Sequence, residues 1–223
     1  MKLHWSPRSP FVRKVMIVLH ESGLTGRVEL VRSVVAFAAP PNPAVLADNP
    51  LGKIPALLLD DGTALFDSRV ICEYLDGLHD GPRLFPAAGP ERYRQLRWQA
   101  LADGLTDILL LWRNERLRRD GPDAVLTAAF EAKVRACFAA LEADAAALGA
   151  ASFGIGQATV ACALGQMEFR FQDSGWQAAH PALAAWHAEI QSRPSVAATA
   201  VRDDTPGGAA GDDSRSPFRF TEA

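Results

Sequence analysis

Residues 49–68 read Asn49-Pro50-Leu51-Gly52-Lys53-Ile54-Pro55-Ala56-Leu57-Leu58-Leu59-Asp60-Asp61-Gly62-Thr63-Ala64-Leu65-Phe66-Asp67-Ser68, and their reading decides the fold. Two short apolar runs, 56–59 and 64–66, flank Asp60-Asp61-Gly62-Thr63, the composition of a hairpin turn, so they are expected to pair antiparallel. Upstream, a glycine and two prolines shape a tight approach to the first run. Pro55 is a candidate for a cis peptide, which would turn the Ile54 N–H and C=O outward to pair with an extended ligand as a sheet edge does. An ordinary trans proline at a strand start is the alternative. Downstream, Asp67-Ser68 supplies N-cap chemistry for a helix through Val70, Ile71, Tyr74 and Leu75.

Toward the N-terminus, residues 2–5 form a short strand candidate. A helix follows over Phe11 to Glu21, where Val12, Val15, Met16, Val18 and Leu19 recur at helical spacing. Gly23 ends it, and residues 28–31 read as a second strand. Pro40, Pro41 and Pro43 mark an irregular connection. The order βαβ, then a loop and short helix, then ββα is the thioredoxin-like α/β pattern, and it occupies residues 1–78. Residues 79–90, rich in proline and glycine, read as a linker. Beyond it, 91–119, 124–148, 157–172 and 181–191 carry apolar residues at helical intervals, so 91–200 is expected to be an all-helical domain. The tail, 201–223, is rich in Gly, Asp, Ser and Pro from about Asp203 and is expected to be mobile or surface-draped, with Phe218 and Phe220 anchoring its end.

Composition narrows the function. A chain of 223 residues with 48% hydrophobic and 22% charged residues and a net charge of −3 has the profile of a soluble globular protein with no basic face for nucleic acid. No window reaches the roughly 20 apolar residues of a membrane span, and the first residues lack a signal-peptide core, so a cytoplasmic location is expected. Cys72, Cys137 and Cys162 are far apart and odd in number, as expected of buried apolar residues rather than a disulfide or zinc framework. His4, His20, His79, His180 and His187 show no metal-ligand spacing.

Ser9 stands where the first loop becomes helix, beside unsatisfied N–H groups and the positive end of the helix dipole. A thiolate accepting a hydrogen bond from that hydroxyl would be favoured over its protonated form. The plainer role is a helix N-cap ahead of proline. Ser6 is the second hydroxyl of the same loop. Arg8, Arg13 and Lys14 add positive charge around the turn, either toward an anion or as solvated surface groups. At the next helix start, Asp67-Ser68 joins main-chain N–H groups with a hydroxyl, a combination that binds a carboxylate, while Asp67 would hold an amino group.

Together, SPFVRKV at 9–15, NPLGKIP at 49–55 and DSRVICEYLD at 67–76 resemble the soluble glutathione transferase family, bacterial type, over roughly residues 1–200. The resemblance implies a thioredoxin-like N-terminal domain followed by an all-helical C-terminal domain, glutathione as co-substrate, and a detoxifying homodimer. The implied reaction adds the glutathione thiolate to an apolar electrophile. By the same resemblance Ser9 faces the cysteinyl sulfur with Phe11 beside it, and Ile54, held by Pro55, pairs with the cysteinyl backbone. Lys53 approaches the glycyl carboxylate, and Asp67 and Ser68 grip the γ-glutamyl end. Trp112 and Arg116, with Arg113, fall in the region that walls the second-substrate pocket, and Phe37 would close it from the irregular loop. Packing of Trp112 in the core or at a dimer contact is the alternative, since helical aromatics are usually buried, and Phe37 is equally open.

Serine at position 9 forms no mixed disulfide with glutathione, which favours conjugation over cysteine-based redox chemistry. A glutathione-dependent reductase, lyase or isomerase, or a non-catalytic glutathione-binding stress-response module, remains the alternative on the same fold. One departure stands out. In Phe153-Gly154-Ile155-Gly156-Gln157, where the family has a capping box, glycine replaces serine or threonine and Gln157 replaces aspartate, so half of the reciprocal cap is expected, at a cost of a few tenths of a kcal/mol.

Overall fold

The computed structural model describes residues 1–37, 39–204 and 218–220. Its first portion runs β1 (Lys2–Trp5), α1 (Pro10–Glu21), β2 (Glu29–Arg32), α2 (Pro43–Asp48), β3 (Ala56–Leu58), β4 (Ala64–Leu65) and α3 (Ser68–Asp76). The sheet order is β2-β1-β3-β4, with β1 and β2 parallel and the other pairings antiparallel. This is the thioredoxin-like arrangement. The expected hairpin sets Leu57 opposite Leu65 and Leu58 opposite Ala64. Val15, Val18 and Leu19 of α1 and Ile71, Cys72 and Leu75 of α3 bury with Leu3 and Leu57 of the sheet.

Pro43 departs from the irregular connection expected of the proline cluster. It opens α2 behind the N-cap Asn42, whose side chain accepts from the Ala44 N–H at 3.0 Å. A missing N–H is no loss at that first helical position. His4 then clamps α2 to the sheet, with Nδ1 2.8 Å from Ser33 Oγ and Nε2 2.8 Å from Asp48 Oδ2. Ser33 and His4 are both buried, so this Ser–His–Asp row is structural.

The helical portion contains α4 (Gly89–Arg116), α5 (Ala124–Ala150), α6 (Ile155–Arg170), α7 (Trp176–Ala179), α8 (Pro181–Ile190) and α9 (Pro194–Ala198). α6 is central: every residue except Glu168 and Phe169 is buried. At its start, Gln157 Oε1 accepts from the Gly154 N–H at 3.0 Å, the half-cap expected. The other half comes from α4, where Gln95 Oε1 accepts from the Gly156 N–H at 2.8 Å. A Cβ on Gly154 would stand 2.7 Å from Gln95 Oε1 and 2.9 Å from Leu84 O, so the glycine is a packing requirement. α8 is capped the same way: Glu142 of α5 accepts from the Ala182 and Leu183 N–H groups at 3.0 and 2.7 Å.

Trp98, Trp112, Phe138, Phe171 and Trp176 fill the bundle core. The two tail phenylalanines join it as expected. Phe218 is buried with its ring 4.9 Å from Trp112, and the Phe220 N–H donates to Ser174 O at 2.8 Å while Arg135 Nη1 donates to Phe220 O at 2.8 Å. Residues 205–217 and 221–223, most of the expected irregular tail, lie outside the described residues.

The two portions meet along α1. Arg13, read from sequence as a site or surface cation, is buried and reaches Ala161 O and Val196 O at 3.4 Å. It passes so close to Gly165 that a Cβ there would collide with its Nη1. Lys14, read the same way, is 1% exposed and bonds both carboxylate oxygens of Asp103 on α4, at 2.7 and 2.9 Å. Both depart from the sequence expectation because they lie more than a turn into α1 and point into the seam. Glu21, at the other end of α1, pairs with Arg193 and Ser195.

Candidate functional site

Ser9 is the N-cap of α1, its Oγ accepting from the Val12 N–H at 3.3 Å. A hydroxyl carries one O–H donor and two lone pairs, so capping leaves the O–H available to donate elsewhere. The cap and a thiolate partner are therefore compatible roles for one side chain. Ser6 is buried, its Oγ accepting from the Arg8 N–H at 3.4 Å, whereas Ser9 is half-buried, so Ser9 is the more accessible of the two. Phe11 is half-buried on the first turn of α1, its ring centroid 6.0 Å from Lys14 Nζ.

The Ile54–Pro55 bond is cis, the first of the two alternatives the sequence leaves open. The β1–β3 register ends at His4 opposite Ala56, so the buried Ile54 stands beyond the last paired position. Asn49, which the sequence reading passed over, shapes the approach. It is 2% exposed, its Nδ2 donates to Lys53 O at 2.9 Å, and its Oδ1 accepts from the Leu51 N–H at 3.0 Å. Gly52 completes the turn at φ +62, a left-handed conformation that glycine adopts at no steric cost. Lys53 is left exposed. Asparagine ahead of a proline turn is the signal that was available.

Asp67 caps α3, its Oδ1 accepting from the Arg69 N–H at 2.8 Å, and the Phe66–Asp67 bond is also cis. Asp67 is exposed and Ser68 buried. Val12, Val45 and Ile54 form one small core cluster, which ties α1, α2 and the cis-proline loop together.

Asp103 of α4 is the second group the sequence reading missed. Its carboxylate, 3% exposed, takes Lys14 from α1 and also Arg69 Nε from α3 at 2.8 Å. One buried carboxylate thus fixes the helix that begins after Ser9 against the helix that begins at Ser68. Such a pair contributes geometry more than net stability, because desolvation offsets its Coulomb gain. Asp107, one turn on, is held up in pKa by partial desolvation, against the opposing pull of Lys53.

Of the two readings of Trp112, pocket wall or core packing, the structure fits the second. At roughly 100° per residue, positions nine and thirteen beyond Asp103 fall on the opposite side of α4. Trp112 accordingly lies in the bundle core at 2% exposure, against Phe171 and Phe218. Arg116 donates to Arg170 O at 3.2 Å and stacks 4.6 Å from the Phe171 ring, at the end of α6. Phe37 is 73% exposed on the loop after β2.

The cysteines are chemically quiet. Burial pushes the Cys72 thiol up to about 12 and Cys162 up to about 11, and raises the half-buried Cys137 as well. Among the described residues, no group of three or more His, Cys, Asp or Glu could hold a metal ion. No helix among them is long and apolar enough to cross a membrane.

Residues 8–78 match the family model of the glutathione S-transferase N-terminal domain, and residues 123–189 that of the C-terminal domain. The GST-like protein YibF of Escherichia coli (strain K12) is 32% identical over 89% of this chain and 98% of its own length. A glutathione transferase family member from Pseudomonas fluorescens Pf-5, solved with bound glutathione, is 45% identical with a TM-score of 0.87, covering 91% of this chain and 99% of that one. A second structure of a family member from the same source, with bound S-(propanoic acid)-glutathione, is 43% identical with a TM-score of 0.82 over 91% and 100% of the two chains. With both family models matched and that likeness running nearly end to end, the chain belongs to the glutathione S-transferase family.

Proposed function

We propose that this protein is a glutathione transferase, a two-domain chain divided at residues 79–90 that activates the thiol of glutathione and adds it to an electrophile. Ser9 carries the reading: it caps α1 through a lone pair and keeps its O–H to donate to a thiolate at the positive end of that helix. The tripeptide lies with its γ-glutamyl end at Asp67 and Ser68, its cysteinyl backbone at Ile54 next to Pro55, and its glycyl carboxylate toward Lys53. Phe11 flanks the thiol. No general base is required, because hydrogen bonding and the helix dipole favour the thiolate directly. Much of the rate then comes from holding the nucleophile in place.

Phe37, from the loop after β2, closes the electrophile side. A cysteine-dependent reductase is disfavoured by the buried, high-pKa thiols of Cys72 and Cys162. A homodimer in the cytoplasm, serving detoxification, is the setting that fits the family.

The test is retention on immobilised glutathione together with turnover of a model aryl halide. Ser9→Ala is expected to lower turnover far more than it weakens glutathione binding, and Ser68→Ala mainly to weaken binding. Turnover that survives Ser9→Ala but is lost in Ser6→Ala would transfer the thiol to Ser6. Binding without turnover across a wide electrophile panel would make the protein a binding module.

A further inference from the structure

Two arginines stand at the carboxyl ends of the parallel strands, beside the loop that holds Ser9. Arg8 belongs to that loop, and Arg32 is the last residue of β2, in register with Trp5 at the end of β1. Both converge on one carboxylate: Arg8 Nε lies 3.2 Å from Asp204 Oδ1, and Arg32 Nε lies 2.5 Å from Asp204 Oδ2. Asp203 adds a longer contact to Arg8 at 3.9 Å. All four side chains are at least two-thirds sheltered. Each arginine is also held from behind. Arg32 Nη1 donates to Ser33 O at 2.7 Å, and the Arg8 N–H donates to Ser6 Oγ. The carboxylate arrives from the far end of the chain, where the Arg202 N–H donates to Pro7 O at 3.3 Å.

Two guanidinium groups from separate elements, each using one oxygen of a single carboxylate, make a carboxylate receptor. Its occupant here is a side chain from the residues after α9, a segment that also bonds to the Ser9 loop through the backbone of Arg202. The Arg32 hydrogen bond holds the Asp204 carboxyl below the ordinary aspartate range, so it stays ionised at neutral pH.

We infer that Arg8 and Arg32 recognise a carboxylate on the electrophile, and that Asp204 is an intramolecular competitor which the substrate displaces. This rests on the reading of Ser9 as the thiol partner, because Arg8 is its neighbour in the chain. The substrate class is a carboxylate-bearing electrophile, and an α,β-unsaturated acid is the simplest member to follow. The glutathione sulfur forms a bond to the β-carbon, the π electron pair moves to the α-carbon, and that carbon takes up a proton equivalent to the one the thiol lost. The carboxylate is unchanged and stays on the arginines.

The test compares binding of two product analogues to the full chain by titration calorimetry: S-(2-carboxyethyl)glutathione and its neutral isostere S-(2-carbamoylethyl)glutathione. The wild type is expected to prefer the acid. Asp204→Asn removes the competing charge and is expected to widen that preference by about tenfold, the scale of one hydrogen bond to a charged group. Arg32→Gln is expected to bring the acid-to-amide ratio close to one. Equal binding of acid and amide in wild type and Asp204→Asn overturns the inference while leaving the glutathione site standing. A preference that neither variant moves also overturns it, since the carboxylate then binds elsewhere. If neither analogue binds, the glutathione reading fails and takes this inference with it.

Discussion

The seam between the sheet and the bundle adds buried charge to apolar contacts such as Ile17 and Ile155, whereas the interior of the bundle is held by rings, and α4 serves both. On one face Asp103 ties Lys14 and Arg69 together, and along the same seam Arg13 donates to main-chain carbonyls and Glu21 pairs with Arg193 to extend the ionic line. On the other face Trp112 packs among Phe130, Phe171 and Phe218. Charged contacts have narrow geometry and fix orientation, while packed rings supply burial and tolerate conservative exchange. The site depends on the first kind, because the helices bearing Ser9 and Ser68 are oriented by a shared carboxylate.

That contrast is sharpest in a matched pair of truncations. Asp103→Ala strands Lys14 as a buried charge, and Trp112→Ala opens a cavity; each is expected to cost about 3–5 kcal/mol in urea unfolding. They should separate in glutathione affinity measured on folded protein, which Asp103→Ala weakens and Trp112→Ala leaves close to wild type. Equal loss of affinity in both would break the division of labour. The double variant Lys14→Met/Asp103→Leu is expected to recover most of the stability without the affinity, since a well-packed apolar pair replaces a buried ion pair at little cost.

A smaller effect probes the boundary between the two regimes. Adding the side-chain cap that α6 lacks, by Gly154→Ser, would stabilise an isolated helix. Here it is expected to cost about 1–3 kcal/mol by overpacking against Gln95 and Leu84, read as a lower melting temperature. A rise would mean that Gln95 yields more readily than its position indicates.

The smallest effect is in pH. Burial raises the Glu21 carboxyl, but hydrogen bonds from Arg193 and Ser195 outweigh it and set the folded pKa below the ordinary glutamate value. Its stabilising contribution is therefore complete above the unfolded pKa and is lost as pH falls through the folded one. Glu21→Gln should flatten the acid limb of the stability–pH curve and leave the curve's shape near neutrality unchanged; an unaltered acid limb would remove Glu21 from the ionic line.

Much of the N-terminal portion was legible because its signals are local. The Asp60-Asp61-Gly62-Thr63 turn, the cap at Asp67 and the approach to Pro55 each state their geometry within a few residues. The bundle was legible as helices and illegible as faces: periodicity gives the spacing of α4 without saying which side meets α1. For Trp112 it therefore left pocket wall and core packing as equal alternatives. Arg13 and Lys14 failed for a related reason, since a cation near an anion site reads as electrostatics until its partner, far away in the chain, is known. Gln95 and Glu142 cap helices they do not belong to, which no local pattern encodes.

Gly165 and Arg13 also constrain the order in which this chain changes. A methyl group at 165 meets the guanidinium, so a lineage that keeps the arginine takes alanine there only if that side chain swings aside and gives up its bonds to Ala161 O and Val196 O. Shortening residue 13 first opens the space, and alanine then follows without conflict. Once it has, the arginine returns only in a displaced conformation or after glycine is restored. The passage of one side chain over one glycine couples the two positions, and divergent relatives should more often carry the two residues together than either alone.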